Sequence, residues 1–187
     1  SYPFVFEYDS EWWMVPESRS NKTVDLYHCK EWPDKWVYEK SLFNNCEMVD
    51  STLFNHLDHW WLMAGQPIKP GGNASGKLML WYADNPLSDK WICHPDNPIT
   101  TDIRYTRPGG SIIRNNSSML RPAQDSSIRY GYAIRFMKIQ ELTVDNYKEK
   151  ESQLFLPDWD IDVIANHTFN EDQGWVFADA AREINKG

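Results

Sequence analysis

FVFEYDSEWWMVPE at residues 4–17 lies without a gap on TLFNHLDHWWLMAG at residues 52–65, with Phe6 on Phe54, Trp12 on Trp60 and Trp13 on Trp61. Each stretch reads as strand, turn, strand, because β-branched and aromatic residues flank a short polar turn. A third copy, SIIRNNSSMLRPAQ at residues 111–124, has lost the tryptophans but keeps the apolar-turn-apolar pattern, and FNEDQGWVFAD at residues 169–179 supplies a fourth hairpin. Similarity at a period of about fifty residues marks a repeat architecture whose units cannot each bury a face alone. The chain therefore reads as an all-β array of propeller-type blades.

Working outward, the first unit (residues 1–49) divides into strands at 4–8, 12–17, 23–29 and 36–43, separated by Asp9-Ser10 and Arg19-Ser20-Asn21. The second unit (50–105) repeats it with 52–56, 60–64, 77–82 and 91–94, and Asp34-Lys35-Trp36 in the first matches Asp89-Lys90-Trp91 in the second. The third (106–157) runs through 111–115, 119–123, 131–142 and an outer strand at 153–156; residues 158–187 supply a closing half-blade with strands at 166–170 and 175–178. A helical turn is expected only near residues 179–185. Propeller blades have four strands and rings have four to eight blades, so about three and a half blades predict part of a larger ring or an open assembly. Adjacent strand residues point to opposite faces, so both tryptophans of each pair are expected to pack against neighbouring blades.

A chain of 187 residues with 41% apolar residues can build one cored domain. No apolar run reaches the roughly 20 residues of a membrane span, and SYPFVFEY at the start has neither an initiator Met nor a signal-peptide pattern, which reads as a cut terminus. A net charge of −8 argues against nucleic acid and anionic membrane as partners. Aromatic residues reach 14%, enough for core packing and for flat platforms under sugar rings. Asn-x-Ser/Thr occurs at Asn21, Asn73, Asn115, Asn116 and Asn166, more often than the roughly one or two sites chance would give, which predicts N-glycosylation and passage through the secretory pathway, in the Golgi lumen or outside the cell. The cysteines, Cys29, Cys46 and Cys93, have no metal-ligand spacing; Cys29 with Cys46 is the natural bridge, and three buried thiols the alternative.

The words SYPFVFEY, WWMVPES, VDLYHCKEWPDKW, VDSTLF, WWLMAG, LWYADNPLSDKW, RPGG, RPAQDSSIRYGYAI and NHTFN follow one another in an order that resembles one family. It is the amino-terminal propeller domain of plant glucosamine inositolphosphorylceramide transferases and their bacterial relatives, and the resemblance covers nearly the whole chain. It implies a five-bladed propeller like that of arabinanase- and invertase-type glycoside hydrolases, with glycosyl transfer assigned to a separate carboxy-terminal domain. It also implies a further blade, opening on Asp-Pro-Phe, ahead of SYPFVFEY. A missing blade or the adjoining catalytic domain of the parent chain is thus an expected partner.

In a propeller the innermost strands line the central channel, so the starts of the repeats converge. Repeat alignment puts Tyr2 with Asp50 and Gly109, Arg107 two residues earlier and His167 near the start of the last hairpin; Glu17, Gly65 and Gln124 align at second-strand ends, with Asp125 following. Hydrolysis of a glycosidic bond needs two carboxyl groups about 5 Å apart for retention or about 6.5 to 9.5 Å for inversion, and Asp50, Glu17 and Asp125 are the candidates. Asp50, Arg107, Gln124, Asp125, Arg129, Tyr130 and His167 are the candidate sugar-binding residues, since charged, amide and aromatic groups together suit a polyol. Plainer readings stand beside each. Asp50 and Glu17 serve equally well as acceptors for backbone N–H groups, Arg107 as half of an internal ion pair, Gln124-Asp125 and Arg129-Tyr130 as hairpin closers, and His167 as a hydrogen-bonded structural residue. No phosphate loop, nucleophile elbow or metal-ligand cluster is present, so no cofactor or metal is expected.

Three functions compete. A carbohydrate-binding propeller that accompanies a glycosyltransferase in glycan or glycolipid assembly leads, with its own catalysis unproven. A glycoside hydrolase of the five-bladed type is second and would need the leading blade. A secreted structural protein that assembles with copies of itself through open strand edges is third.

Overall fold

The computed structural model describes residues 2–115 and 118–183. Its first sheet is an antiparallel meander of β1 (Phe4–Tyr8), β2 (Glu11–Val15), β3 (Thr23–Glu31) and β4 (Lys35–Asn44), in that order. Asp9 and Ser10 close the first hairpin with φ of 56° and 61°. This is the left-handed pair that a two-residue hairpin turn demands. A single 3₁₀ turn at Arg19–Asn21 separates β2 from β3. The second sheet repeats the order with β5 (Val49–His56), β6 (His59–Gln66), β7 (Lys77–Ala83) and β8 (Ile92–Cys93).

The third sheet has a divided inner strand. β9 (Arg107–Pro108) and β10 (Ile113–Asn115) both pair with β11 (Ser118–Asp125), which is followed outward by β12 (Ala133–Leu142) and β13 (Tyr147–Phe155). The division falls at Gly109-Gly110. Gly110 has φ of 146°, and a Cβ there would lie 2.0 Å from the Phe169 carbonyl oxygen. Only glycine lets the closing segment approach so closely. Phe169 N–H donates to the Gly109 carbonyl at 2.7 Å across the same break. That segment contains β14 (Val163–Ala165), β15 (Phe169–Asp172), β16 (Trp175–Ala178) and β17 (Ala181–Arg182), pairing β14 with β17 and β15 with β16.

The sheets pack face on face, with β1 beside β5 and β5 beside β9. Phe4, Phe6, Trp13, Val15 and Leu26 of the first sheet meet Leu53, Leu62 and Trp81 of the second. The other face of the second sheet, with Phe54, Trp61, Met63, Leu78 and Leu80, meets Ile139, Leu142 and Tyr147 of the third. Ile113, Ile134 and Phe136 then receive Phe155 and Phe169. These are stacked antiparallel blades of a propeller.

The tryptophan pairs are not equivalent. Trp13 and Trp61 are buried and donate their indole N–H groups to the carbonyls of Tyr8 and His56 at 3.4 and 3.3 Å, locking both hairpins alike. Trp60 lies against Phe6 and Tyr8 of the first sheet. Trp12, in contrast, is 38% exposed and packs on Trp32, so it meets no neighbouring sheet among the described residues.

Several strand limits move. The second outer strand shrinks to Ile92–Cys93 because Asn97 takes over from backbone: its amide accepts from Leu80 N–H at 2.8 Å and donates to the Leu80 carbonyl at 2.6 Å. The third outer strand begins at Tyr147, earlier than its apolar end suggests. In place of the helical turn expected at residues 179–185, Ala181–Arg182 pairs as β17; residues 184–187 lie outside the described residues. Cys29 and Cys46 are free thiols, since Cys29 pairs with Trp36 near the β3–β4 turn while Cys46 bonds Lys22 at the far end of that hairpin.

Candidate functional site

Inner-strand starts bring a ring of polar groups together. Asp50 holds φ of 54° at the start of β5, and its side chain is fully buried. Its Oδ2 accepts from Arg107 Nε and Nη2, each at 2.6 Å. The same guanidinium lies 5.5 Å from the Tyr130 ring centroid. Tyr130 packs on His167 with ring centroids 4.4 Å apart, and His167 Nδ1 pairs with Asp179 Oδ2 at 2.8 Å. On the other side of Asp50, Tyr2 and Thr52 hydroxyls meet at 2.6 Å. Pieces of chain far apart in sequence are thus linked through one series of polar contacts.

Electrostatics follow from burial. The Tyr2 phenol is pushed up well beyond its ordinary range, first by burial and then by the Asp50 charge, since both disfavour its ionised form. Burial alone would pull the Arg107 guanidinium down, but Asp50 outweighs it and the net shift is upward. Asp125 is likewise fully buried: its Oδ2 accepts from Arg135 Nε at 2.6 Å and its Oδ1 from Ser127 N–H at 2.9 Å. Glu17 sits at the rim, with Oε1 accepting from Arg19 N–H at 3.0 Å and Oε2 from Asp50 N–H at 3.3 Å.

The sequence candidates therefore separate into three groups. Asp50, Arg107, Tyr130 and His167 converge, and Glu17 joins through the Asp50 backbone. Gln124 is held beside them because it pairs with Arg107 in the β9–β11 ladder, and its Nε2 donates to the Pro108 carbonyl at 2.8 Å. Asp125 turns instead toward Arg135, and Arg129 spends its guanidinium on the Ile164 carbonyl, tying the loop to β14. That tie reaches another sheet, so Arg129 does not close its own hairpin as its plainer reading has it. Arg107 does form the internal ion pair that its plainer reading describes.

Asn166 requires a correction as a glycan acceptor. It is fully buried, its N–H donates to the Gly131 carbonyl at 2.9 Å, and both amide side-chain atoms are sealed from solvent, so this fold leaves no path for a glycan. Asn21, Asn73 and Asn115 are exposed; Asn116 lies outside the described residues. Asn166 is better placed in the site. Gln124 Oε1, Ser126 Oγ, His167 Nε2 and the two Asn166 amide atoms are buried without a hydrogen-bond partner. Each such group costs about 1–3 kcal/mol if left unsatisfied.

Sequence reasoning missed Tyr2, Asn166 and Asp179 as members of the site. Tyr2 had a signal, since the repeat alignment sets it on Asp50. Asp179 had none, because its contact with His167 depends on how the closing hairpin returns. Asp179 also makes the closure sensitive to acid. Burial works to raise its pKa, but hydrogen bonds from His167 and Thr168 prevail and lower it. A carboxylate with a depressed folded value stabilises above its unfolded pKa of about 3.9 and loses that contribution as pH falls through the folded value. Hydrogen-exchange protection factors at residues 167–169 are therefore expected to fall below about pH 4, before those of the first sheet. Simultaneous opening of both regions would contradict this role for Asp179.

Residues 1–165 match the family described as "Glucosamine inositolphosphorylceramide transferase 1, N-terminal". The chain is 36% identical over 151 residues to glucosamine inositolphosphorylceramide transferase 1 of Oryza sativa subsp. japonica, covering 80% of this chain and 20% of that protein. It is 35% identical over 153 residues to the Arabidopsis thaliana protein of the same name, covering 81% and 20%. The chain thus spans about a fifth of the length of these curated relatives. Among solved structures, an exo-beta-1,3-galactanase from Phanerochaete chrysosporium superposes with TM-score 0.67 at 8% identity, covering 98% of this chain and 44% of that one. An alpha-L-arabinofuranosidase from Clostridium thermocellum ATCC 27405 gives 0.66 at 11% identity, covering 99% and 64%. At such identities the likeness is one of fold, the five-bladed propeller.

Proposed function

Because the chain belongs to the amino-terminal family of the glucosamine inositolphosphorylceramide transferases, we propose that it is a glycan-binding propeller module that serves a glycosyltransferase in glycolipid assembly. Its ligand in this reading is the sugar headgroup of a glycolipid, and its role is to hold that headgroup rather than cut it. The observation that carries the reading is the convergence of Asp50, Arg107, Tyr130 and His167 at the strand starts, where the exposed Tyr130 ring lies beside both the Arg107 guanidinium and the His167 imidazole. Rings and paired hydrogen-bonding groups of this kind match the faces and hydroxyls of a sugar.

Binding is favoured over hydrolysis by what the carboxylates already do. A glycosidase needs one carboxyl group to give a proton and another to attack or activate water. All four oxygens of Glu17 and Asp125 accept from N–H groups, and Asp50 is engaged by Arg107. Incubation with β-1,3-galactotriose and with a glucosamine-inositol phosphate headgroup should return both intact; release of monosaccharide would make the protein a hydrolase and sink the binding-only reading.

A glycolipid-assembly module belongs in the secretory pathway. Asn21 and Asn73 are exposed in loops of the first and second sheets, which supports glycan attachment at one or both. Protein from its natural source should lose mass on enzymatic deglycosylation, and an Asn21→Gln/Asn73→Gln variant should lose less or nothing. An unchanged mass for the natural protein would remove the localisation argument.

A further inference from the structure

The second sheet departs from the repeat between its middle strands. Residues 16–22 join β2 to β3, whereas a longer excursion, residues 67–76, joins β6 to β7. That loop is pinned from several sides. Gly71 N–H donates to both Glu47 oxygens at 3.0 Å, and Arg19 Nη2 donates to the Gly72 carbonyl at 2.7 Å and to Glu47 Oε2 at 3.1 Å. Thr106 Oγ1 donates to the Ser75 carbonyl at 2.9 Å. The two ends of the loop touch at Gly76, where a Cβ would lie 2.6 Å from Ile68 N. A loop held in this way is preorganised, so a ligand beside it need not order it.

A cavity of about 460 Å³ lies between this loop and the first sheet, within the roughly 300–1,000 Å³ of small-molecule sites. On the first-sheet side it is lined by Lys22, Asn45 and Cys46, drawn together by the hydrogen bond from Cys46 N–H to the Lys22 carbonyl at 2.9 Å. On the other side stand Gln66 and Lys77, directly opposite each other in the β6–β7 ladder, so their side chains leave the same face of the sheet as neighbours. Pro67, Ile68 and Pro70 give the cavity an apolar wall.

The charge of the cavity depends on which groups are already engaged. Glu47 also lines it, but the hydrogen bond from Arg19 and, next, that from Gly71 N–H hold its carboxyl below the usual range. Asp25, whose charge reaches Cys46, is buried on β3 and accepts from Ser41 Oγ at 2.7 Å. Lys22 acts on Glu47 through its charge alone. Among the described residues Lys22 and Lys77 make no ion pair, and the Asn45 and Gln66 amides make no side-chain hydrogen bond. With Arg19 cancelling Glu47, two ammonium groups remain at one cavity in a chain of net charge −8.

We propose that this cavity binds a small phosphorylated polyol, with Lys22 and Lys77 holding the phosphate, Asn45 and Gln66 the hydroxyls, and the proline wall the C–H face of the ring. Lysine ammonium groups hold phosphate as point charges, and an amide both donates and accepts, as a hydroxyl requires. None of these residues belongs to the convergence around Asp50, so the inference stands apart from sugar binding there.

Calorimetric titration with myo-inositol 1-phosphate should show saturable binding at one site, at least about tenfold tighter than inorganic phosphate and absent with myo-inositol. A Lys22→Gln/Lys77→Gln variant should lose at least about tenfold in affinity with its unfolding midpoint unchanged, and Tyr130→Ala should bind as the unaltered protein does. Cys46 supplies a reporter that needs no substitution. Myo-inositol 1-phosphate should slow its reaction with maleimide at least about threefold, leaving Cys93, exposed on β8, unaffected. If the lysine variant unfolds, protection of Cys46 decides alone. No binding, equal affinity in protein and lysine variant, or an unprotected Cys46 would overturn the proposal. Equal affinity for inorganic phosphate would remove the polyol, and loss of binding in Tyr130→Ala would move the phosphate to the Asp50 convergence; either result also overturns it.

Discussion

Glu149→Ala is expected to destabilise the fold by about 3–5 kcal/mol, because it leaves the Arg121 charge buried without its partner. Arg121 is 1% exposed, and its Nε and Nη2 meet the two Glu149 oxygens at 2.8 and 2.7 Å, a bidentate pair. Tyr147 donates its hydroxyl to Glu149 Oε2 at 2.6 Å, and Arg121 Nη2 also reaches the Tyr105 carbonyl at 3.1 Å. The pair thus connects β11 and β13 to the segment that leads into β9. Burial is the largest single force on the Arg121 guanidinium and would lower its pKa, but the Glu149 charge and hydrogen bond together reverse the sign. Without that partner the burial cost stands alone. Urea denaturation of the variant should show the loss as a lower midpoint, with Glu149→Gln falling between because an amide still accepts from the guanidinium. A change under about 1 kcal/mol would mean that solvent reaches Arg121 readily.

Trp61→Ala should cost a similar amount, about 3–5 kcal/mol, while Trp12→Ala should cost far less. Trp61 is 1% exposed and fills the space between the second and third sheets, against Tyr82 and His94 and within the cluster of Met63, Leu80 and Leu142. Its removal leaves a cavity that the surrounding strands would have to collapse to fill. It also ends the indole hydrogen bond that closes the β5–β6 hairpin. Trp12 packs on Trp32 at a solvent-facing edge, so its truncation removes one ring contact and opens no cavity. Thermal unfolding of the two variants side by side measures the asymmetry. Equal losses would show that the tryptophans of each pair carry equal roles after all.

Much of this fold is legible because repeats constrain one another. Matching Trp13 to Trp61 places two hairpins at once, and the hydrogen bonds of both indoles are the physical reason the match exists. What periodicity misses is where side chains replace backbone. Asn97 stands in for a strand beside Leu80, so the second outer strand ends early. The divided inner strand of the third sheet is foreshadowed by the glycines of RPGG, but the need for Gly110 comes from Phe169, a residue far away in sequence. YKEKESQ at the start of β13 alternates like an edge strand yet is so highly charged that only its apolar end reads as one. That charge is what keeps such an edge from pairing with other chains.

The candidate site is legible in outline for a related reason. Strand starts converge in any propeller, which brings Asp50 and Arg107 together. Which charge meets which is not legible, because it depends on cross-strand register. Arg135 captures Asp125 since β12 returns beside β11 with Asp125 opposite Ala133. Asn166 reads as a glycan acceptor because its three-residue signal is local, while its burial is tertiary.

The Asp50–Arg107 pair is too deeply buried for a clean binding test, because removing either partner strands the other. Tyr130 is 56% exposed, touches both Arg107 and His167, and can be truncated without emptying the core. Calorimetric titration of the protein and of Tyr130→Ala with the glucosamine-inositol phosphate headgroup and with β-1,3-galactotriose is therefore the most direct measurement. A glycan-binding module should bind at least one of them saturably at one site, and Tyr130→Ala should weaken that binding about tenfold, equivalent to about 1.4 kcal/mol, with unfolding unchanged. Absence of heat with both ligands, or equal affinity in protein and variant, would contradict a sugar site at this convergence.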